Sequence, residues 1–312
     1  MKHKHSRREF IKVAGSGVAA LSLAATVGEK AFAAREYKIS LAGWSFHRAI
    51  QKGEMPMLDM PKVSRQEFDI EGIELVNQLL EPVKKPFAEM KPYLDTLAKN
   101  AVDNNVKILL IMVDGEGNIG GRDEDQRKEA VERHKKWLDI CEYLGCHSMR
   151  MNWAGAQAGT ENDEKLLDEF IKRSTPGFHE LCEYGDKKGQ FVIIENHGGP
   201  SSYPHAVEKL MAAVNHPRFG TLPDFGNFPQ GADIYSGTDT LMKYAHKAVS
   251  AKCHDFDDTT GEETKMDYAK LIEIVVDKHG YNGFIGIEYE GDRLSESEGV
   301  KRCKALLDKL KA

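Results

Sequence analysis

Residues 191–199 read Phe-Val-Ile-Ile-Glu195-Asn196-His197-Gly198-Gly199, an apolar run closed by a carboxylate and then a polar turn. The same pattern returns three times downstream. Gly220-Thr-Leu-Pro-Asp224-Phe-Gly226-Asn227 closes on an aspartate, and Val249-Ser-Ala-Lys252-Cys-His254-Asp255-Phe256 on a lysine, a histidine and an aspartate. Phe284-Ile-Gly-Ile-Glu288-Tyr-Glu290-Gly291 closes on two glutamates. Short apolar runs bounded by turn residues are the mark of buried strands. A single carboxylate at such a strand end has an ordinary reading as a solvated or salt-bridged group. Four consecutive runs ending at the same level imply a shared purpose, because burying even one unpaired charge is costly.

Outward from this stretch, strand-like runs occur at 37–44, 72–77, 106–113, 148–152, 190–195, 220–224, 248–254 and 284–288. Helix-like segments lie between them at 87–104, 124–144, 163–188, 204–214, 237–246, 268–279 and 295–310. Within 129–144, Val131, Trp137, Leu138, Cys141 and Leu144 recur at helical spacing with charges between them. Alternation of this kind demands parallel strands joined by crossover helices. Eight such units in residues 34–312 predict an α/β fold, a single (β/α)₈ TIM barrel. A doubly wound open sheet would want a glycine-rich phosphate turn after an early strand, and none follows Trp44 or Asn77. The glycines between Gly115 and Gly121 lack the Lys-Ser/Thr of a phosphate loop and read as a turn-forming segment.

The first 33 residues read separately. Lys2 to Lys12 is basic and carries the adjacent pair Arg7-Arg8, residues 13–27 are small and apolar without charge, and Ala31-Phe32-Ala33 offers a small-x-small cleavage site. The Ser-Arg-Arg-Glu-Phe run resembles a twin-arginine export signal. The apolar run of 15 residues is short for a spanning helix. The expectation is therefore an exported, periplasmic barrel over 34–312 with no stable membrane anchor after processing. Without residues 1–33 the chain keeps 37 basic and 47 acidic side chains, a net charge of −10. Such acidity speaks against nucleic acid and anionic membrane surfaces. Cys141, Cys146, Cys182, Cys253 and Cys303 show no zinc spacing, their odd number speaks against a full disulfide framework, and packing in helices or strands is the expectation.

In a barrel, C-terminal strand ends converge on the mouth that carries the chemistry. Three carboxylates meeting there would repel unless a cation neutralised them. An oxygen-rich set with one imidazole suits one divalent metal ion, Mn²⁺, Mg²⁺ or Co²⁺, with Zn²⁺ also possible. On these four strand ends the chain resembles the xylose isomerase-like TIM-barrel superfamily, the sugar phosphate isomerase/epimerase group. The resemblance spans the whole of 34–312 and is strongest over 191–291. It implies metal ligands Glu195, Asp224, His254 and Glu288, with Glu195 and Glu288 also forming an acid–base pair. Two departures stand out. Asn227 lies where epimerases commonly carry a histidine after the metal aspartate. The order Lys252, His254, Asp255 also leaves the seventh-strand register open, with Asp255 as the other candidate.

Six residues are expected to line a substrate: His197, Asn227, Trp44, Asn152, Lys252 and Glu290. A loop-bonded role serves His197 as well, core packing serves Trp44, and salt bridging serves Lys252 and Glu290. Arg150, inside a strand, must pair with a carboxylate. Residues 257–268 read as a loop able to close over the mouth. The expected activity is metal-dependent sugar isomerisation or epimerisation by proton abstraction next to a carbonyl. The expected substrate is a small-molecule carbohydrate, a non-phosphorylated sugar or keto-sugar, since no phosphate cradle is visible. A keto-glycoside lyase, hydratase or dehydratase uses the same first step, and a non-catalytic carbohydrate-binding barrel is the contrasting reading. A homo-oligomer is compatible with all three.

Overall fold

A computed structural model describes residues 34–245 and 247–311. The export signal expected over 1–33 lies outside the described residues. Eight parallel strands are present: β1 (Lys38–Ala42), β2 (Gly72–Val76), β3 (Lys107–Val113), β4 (Ser148–Met151), β5 (Phe191–Glu195), β6 (Phe219–Leu222), β7 (Ala248–Cys253) and β8 (Phe284–Tyr289). Helices lie between them: α1 (His47–Gln51), α2 (Met60–Phe68), α3 (Phe87–Asp103), α4 (Glu124–Leu144), α5 (Glu164–Asp186), α6 (Pro204–Val214), α7 (Ile234–Met242), α8 (Tyr268–Ile272) and α9 (Glu296–Lys309). The hydrogen-bonded order is β6-β5-β4-β3-β2-β1-β8-β7, so the sheet wraps round as a nearly closed (β/α)₈ TIM barrel. Each expected strand is found to within a few residues at either end.

The seam between β6 and β7 has no continuous ladder. Pro223 has no N–H to offer, and β6 stops at Leu222, two residues short of the run read from sequence. What joins the two strands is an isolated pairing of Thr221 with Ala245 and another of Asp224 with Ser250. At the second, Ser250 N–H donates to the Pro223 carbonyl at 2.9 Å and Phe225 N–H to the Ser250 carbonyl at 3.1 Å.

Strand periodicity divides the side chains into two sets. Leu41, Ile73, Leu75, Ile111, Met149, Val192, Ile194, Val249, Ile285 and Ile287 are buried in one apolar cluster with Leu94, Leu97, Trp137, Leu138, Phe170, Phe178 and Leu181 of the helices. The alternate set is largely polar: Ser40, Glu74, Ser148, Arg150, Glu195, Ser250, Lys252 and Glu288 are all buried. Helix ends follow local chemistry. Asp123 caps α4 by accepting from Gln126 N–H at 2.9 Å, and Gly145 ends it at φ 74°. Helix α2 was not expected from sequence, because its nine residues begin Met-Pro and carry few apolar positions. The 268–279 segment is helical, but beyond Ile272 it widens into a π turn over Glu273–Lys278. All five cysteines are buried and unpaired. No helix among the described residues is long and apolar enough to cross a membrane.

Deep in the barrel, Glu74 is 1% exposed; it accepts a hydrogen bond from Ser40 Oγ at 2.6 Å and leaves Oε2 without a partner. Gly286 makes the room, since a Cβ there would lie 2.4 Å from Glu74 Oε1. Burial pushes the Glu74 carboxyl up to about 8, with Glu288 and Glu195 adding to the rise against the Ser40 bond. Folded, it keeps its proton; unfolded, it ionises near 4.5. The folded state thus binds the extra proton, and stability falls as pH rises from about 4.5 to about 8, by at most ~1.4 kcal/mol per unit. Glu74→Gln, the same shape without a titrating proton, is expected to remove this slope. Melting temperatures of the two proteins at pH 5 and pH 8 check it: the variant should gain on the wild type at the higher pH.

Candidate metal and substrate site

At the C-terminal ends of β5, β6 and β8, Glu195, Asp224 and Glu288 are buried and each offers a carboxylate oxygen within 4.8 Å of the other two. Each group is tethered. The two hydrogen bonds between Asn196 and the Asp224 backbone, at 2.7 and 2.9 Å, fix the β6 end against β5. Asp224 Oδ1 accepts from the backbone N–H groups of Gly226 and Asn227 at 2.8 and 2.9 Å. Ser250 Oγ donates to Asp224 Oδ2 at 2.6 Å and lies 3.0 Å from Glu288 Oε2, bridging the two carboxylates.

Two buried cations serve the cluster. Arg150 binds Glu195 Oε2 through Nε at 2.5 Å and also through a terminal nitrogen, and reaches Asp114 Oδ1 at 2.6 Å. Lys252 Nζ stands 3.4 Å from Glu288 Oε1 and 3.3 Å from Glu290 Oε1. Its stem runs against Gly226, where a Cβ would come within 3.0 Å of the lysine's side-chain carbons. Burial raises the Asp224 carboxyl well above its usual range; the Lys252 charge opposes this, and Glu195 and Glu288 reinforce it. Burial also works against the Lys252 ammonium, but the surrounding carboxylates, Asp224 foremost, raise its pKa overall. For Asp114, burial pushes upward and the Arg150 charge and hydrogen bond outweigh it, so its carboxyl lies below the usual value.

The donor chemistry fits a divalent cation. Among the described residues, Glu195, Asp114, Glu288 and Glu290 find their ion-pair partners in Arg150 and Lys252, and Asp224 adds a fifth carboxyl, so carboxyl groups outnumber the two buried cations here. Clustered, buried carboxylate oxygens are the ligands that hard dications take. A cavity of about 280 Å³ opens beside them, lined by Trp44, Asp114, Asn152, His197, Glu288 and Glu290 together with Val76, Gln78, Met112 and Arg150. Of the two expected catalytic glutamates, Glu288 faces this cavity, whereas Glu195 lies behind Arg150 and Asn227, whose Nδ2 donates to Glu195 Oε1 at 2.8 Å.

The expected substrate residues divide. Trp44, Asn152, His197 and Glu290 line the cavity, while Asn227 and Lys252 touch the carboxylates. Trp44 stacks on His47 with ring centroids 4.5 Å apart and lines the cavity.

His254 is not one of the three residues whose ligand atoms lie within 4.8 Å of one another; β7 ends just before it, at Cys253, and its N–H donates to Glu263 Oε1 at 3.2 Å. Asp255, the other seventh-strand candidate, is held by Arg293 at 2.7 Å on the outer rim. The residues of β7 that reach the cluster are Ser250 and Lys252. In the 257–268 loop, Asp258 pairs with Arg293 and Arg302, and Glu262 with Lys309. Sequence reading missed Asp114, although it closes the apolar β3 just as Glu195 closes β5. It also missed Ser250 and Glu74, which lie inside strands and carry no end-of-strand signal.

Known structures share this fold at low identity. A D-tagatose 3-epimerase-like protein is 16% identical with a TM-score of 0.68, 88% of this chain and 96% of that chain being covered. The 3-keto-D-glucoside 4-epimerase YcjR from E. coli is 14% identical at TM-score 0.65, covering 88% and 99%. A xylose isomerase-like TIM barrel protein from Mycobacterium smegmatis, solved in complex with magnesium, is 16% identical at TM-score 0.61, covering 90% and 100%. Among curated protein sequences, none matches. The sequence itself matches the xylose isomerase-like TIM barrel family over residues 66–311, nearly the whole barrel. With eight staves in place and an acidic cluster at their mouth, the chain belongs to that family.

Proposed function

We propose that the protein is a metal-dependent sugar isomerase or epimerase acting on a non-phosphorylated sugar or keto-sugar. One observation carries this: carboxylate oxygens of Glu195, Asp224 and Glu288 within 4.8 Å of one another, with Glu288 opening onto a sugar-sized cavity. A dication held by these three would polarise a carbonyl and so acidify the neighbouring C–H. Glu288 is then the group placed to take that proton, since it is the buried glutamate that lines the cavity. Glu195 is held with both oxygens engaged, by Arg150 and Asn227, and acts in the return of the proton only through movement of one of these contacts. His197, Asn152, Glu290 and Trp44 orient hydroxyls and a sugar face. Reading residues 1–33 as an export signal to the periplasm supports an unphosphorylated substrate, as does the absence of a phosphate cradle in the sequence.

The same proton abstraction followed by loss of a β-substituent gives a keto-glycoside lyase or a dehydratase. His197 and Glu290, on the same cavity as Glu288, supply possible donors for a leaving group. Incubating Mn²⁺- or Mg²⁺-loaded protein with ketoses and 3-keto-glycosides in D₂O decides between them. Deuterium at the carbon next to the carbonyl, lost after chelation and restored by metal, is the expected result. Aglycone release would replace the isomerase by the lyase. An unexchanged substrate pool would overturn both in favour of a binding barrel.

A further inference from the structure

We propose that the fourth corner of the carboxylate site is the hydroxyl of Ser250, so that the site offers oxygen donors only and prefers Zn²⁺ over hard dications such as Mg²⁺ and Mn²⁺ by less than a site with an imidazole would. This rests on the metal-dependent reading above. The backbone fixes which residue of β7 arrives there. Asp224 pairs with Ser250 across the β6–β7 seam, and Lys252 pairs with Glu288 across β7–β8. Ser250 is 1% exposed, and its Oγ touches both Asp224 Oδ2 and Glu288 Oε2, at 2.6 and 3.0 Å. The other side chains near this end of β7 are placed differently. Lys252 brings an ammonium, which has no lone pair to give, and it engages Glu288 Oε1 at 3.4 Å, leaving Oε2 toward Ser250. Cys253 points the other way, its Sγ 3.8 Å from the Glu288 carbonyl. His254 lies past the strand end and outside the group.

The chemical consequence follows from ligand softness. Imidazole raises affinity for Zn²⁺ and Co²⁺ far more than for Mg²⁺, whereas carboxylate and hydroxyl oxygens suit Mg²⁺ and Mn²⁺. Replacing the nitrogen donor by Ser250 narrows the gap that otherwise favours zinc. The neighbouring ammonium of Lys252 takes the place of part of the cationic charge that an all-carboxylate site would demand.

Titrating the chelator-stripped full chain calorimetrically with Mg²⁺, Mn²⁺, Co²⁺ and Zn²⁺ tests this without any sugar. Ser250→His is expected to raise Zn²⁺ affinity relative to Mg²⁺ by about tenfold or more and to change the visible absorption of the Co²⁺ complex. Ser250→Ala, which removes the hydroxyl at almost no change in volume, should weaken Mg²⁺ and Mn²⁺ by roughly tenfold. If Ser250→His does not fold, Ser250→Cys decides the matter: a coordinating sulfur raises Zn²⁺ affinity relative to Mg²⁺, and an unchanged ratio overturns the assignment. His254→Ala should change none of the four affinities by more than about twofold. The assignment is overturned if His254→Ala weakens binding as Ser250→Ala was meant to. It also falls if the Zn²⁺/Mg²⁺ ratio of folded Ser250→His equals that of the wild type. A wild-type chain that binds none of the four ions removes the metal-dependent function as well, so the two failures are told apart.

Discussion

Glu288→Gln is expected to lower the rate of deuterium exchange into a ketose by about 10²–10⁴-fold at saturating metal. The amide keeps an oxygen at the same place but cannot accept a proton at working pH. Glu288 is 5% exposed, lines the cavity and lies between Ser250 and Lys252, so the substitution is nearly isosteric in a site already formed. Its effect should therefore fall on the exchange rate, with the melting temperature changed little. Measuring exchange over a range of metal concentrations separates loss of the base from loss of a ligand: added metal rescues the second and not the first. Wild-type exchange in the saturated variant would exclude Glu288 as the base.

Arg150→Met is expected to cost about 3–5 kcal/mol of stability, the usual penalty for stripping one partner from a buried ion pair. The guanidinium is 2% exposed and spans two strands' worth of charge, Glu195 on one side and Asp114 on the other. Methionine fills much of the stem's volume but leaves both carboxylates without compensation. For a barrel of this size that loss corresponds to roughly 5–9 °C in melting temperature. The deficit should be widest above about pH 4 and shrink on acidification. In the wild type Arg150 holds Asp114 below its ordinary 3.8, a contribution present above that value and lost as pH falls through the lowered one. Once protonated, Asp114 no longer needs the guanidinium. Thermal melts of the two proteins across this range check the prediction, and an unchanged melting temperature at pH 7 would contradict it.

The strands could be read from sequence because each is an apolar run stopped by turn residues, and their number dictated a barrel. Glu195, Asp224 and Glu288 were legible for the same reason: each carboxylate follows directly on such a run. Asp114 carries the identical signal after Val113, but the glycines that follow it give this strand end the pattern of a turn-forming loop. The place of His254 is a different matter. Which residue of β7 enters the mouth depends on its hydrogen-bonded register against Asp224 on one side and Glu288 on the other. Register is a property of two strands together, and no single run displays it. Glu74 and Ser250 were hidden because a polar residue inside a strand looks like one solvated face. Only a closed sheet turns that face inward.

The seam between β6 and β7 gives the mouth a mechanical meaning. Two of the groups that gather negative charge, Asp224 and Ser250, are the same residues whose main chains clasp the first and last staves in the hydrogen-bonded order. A ligand that bound Asp224 and Ser250 together would favour the paired seam over any state in which it has parted. A barrel fastened at its workplace cannot loosen there without opening along its length.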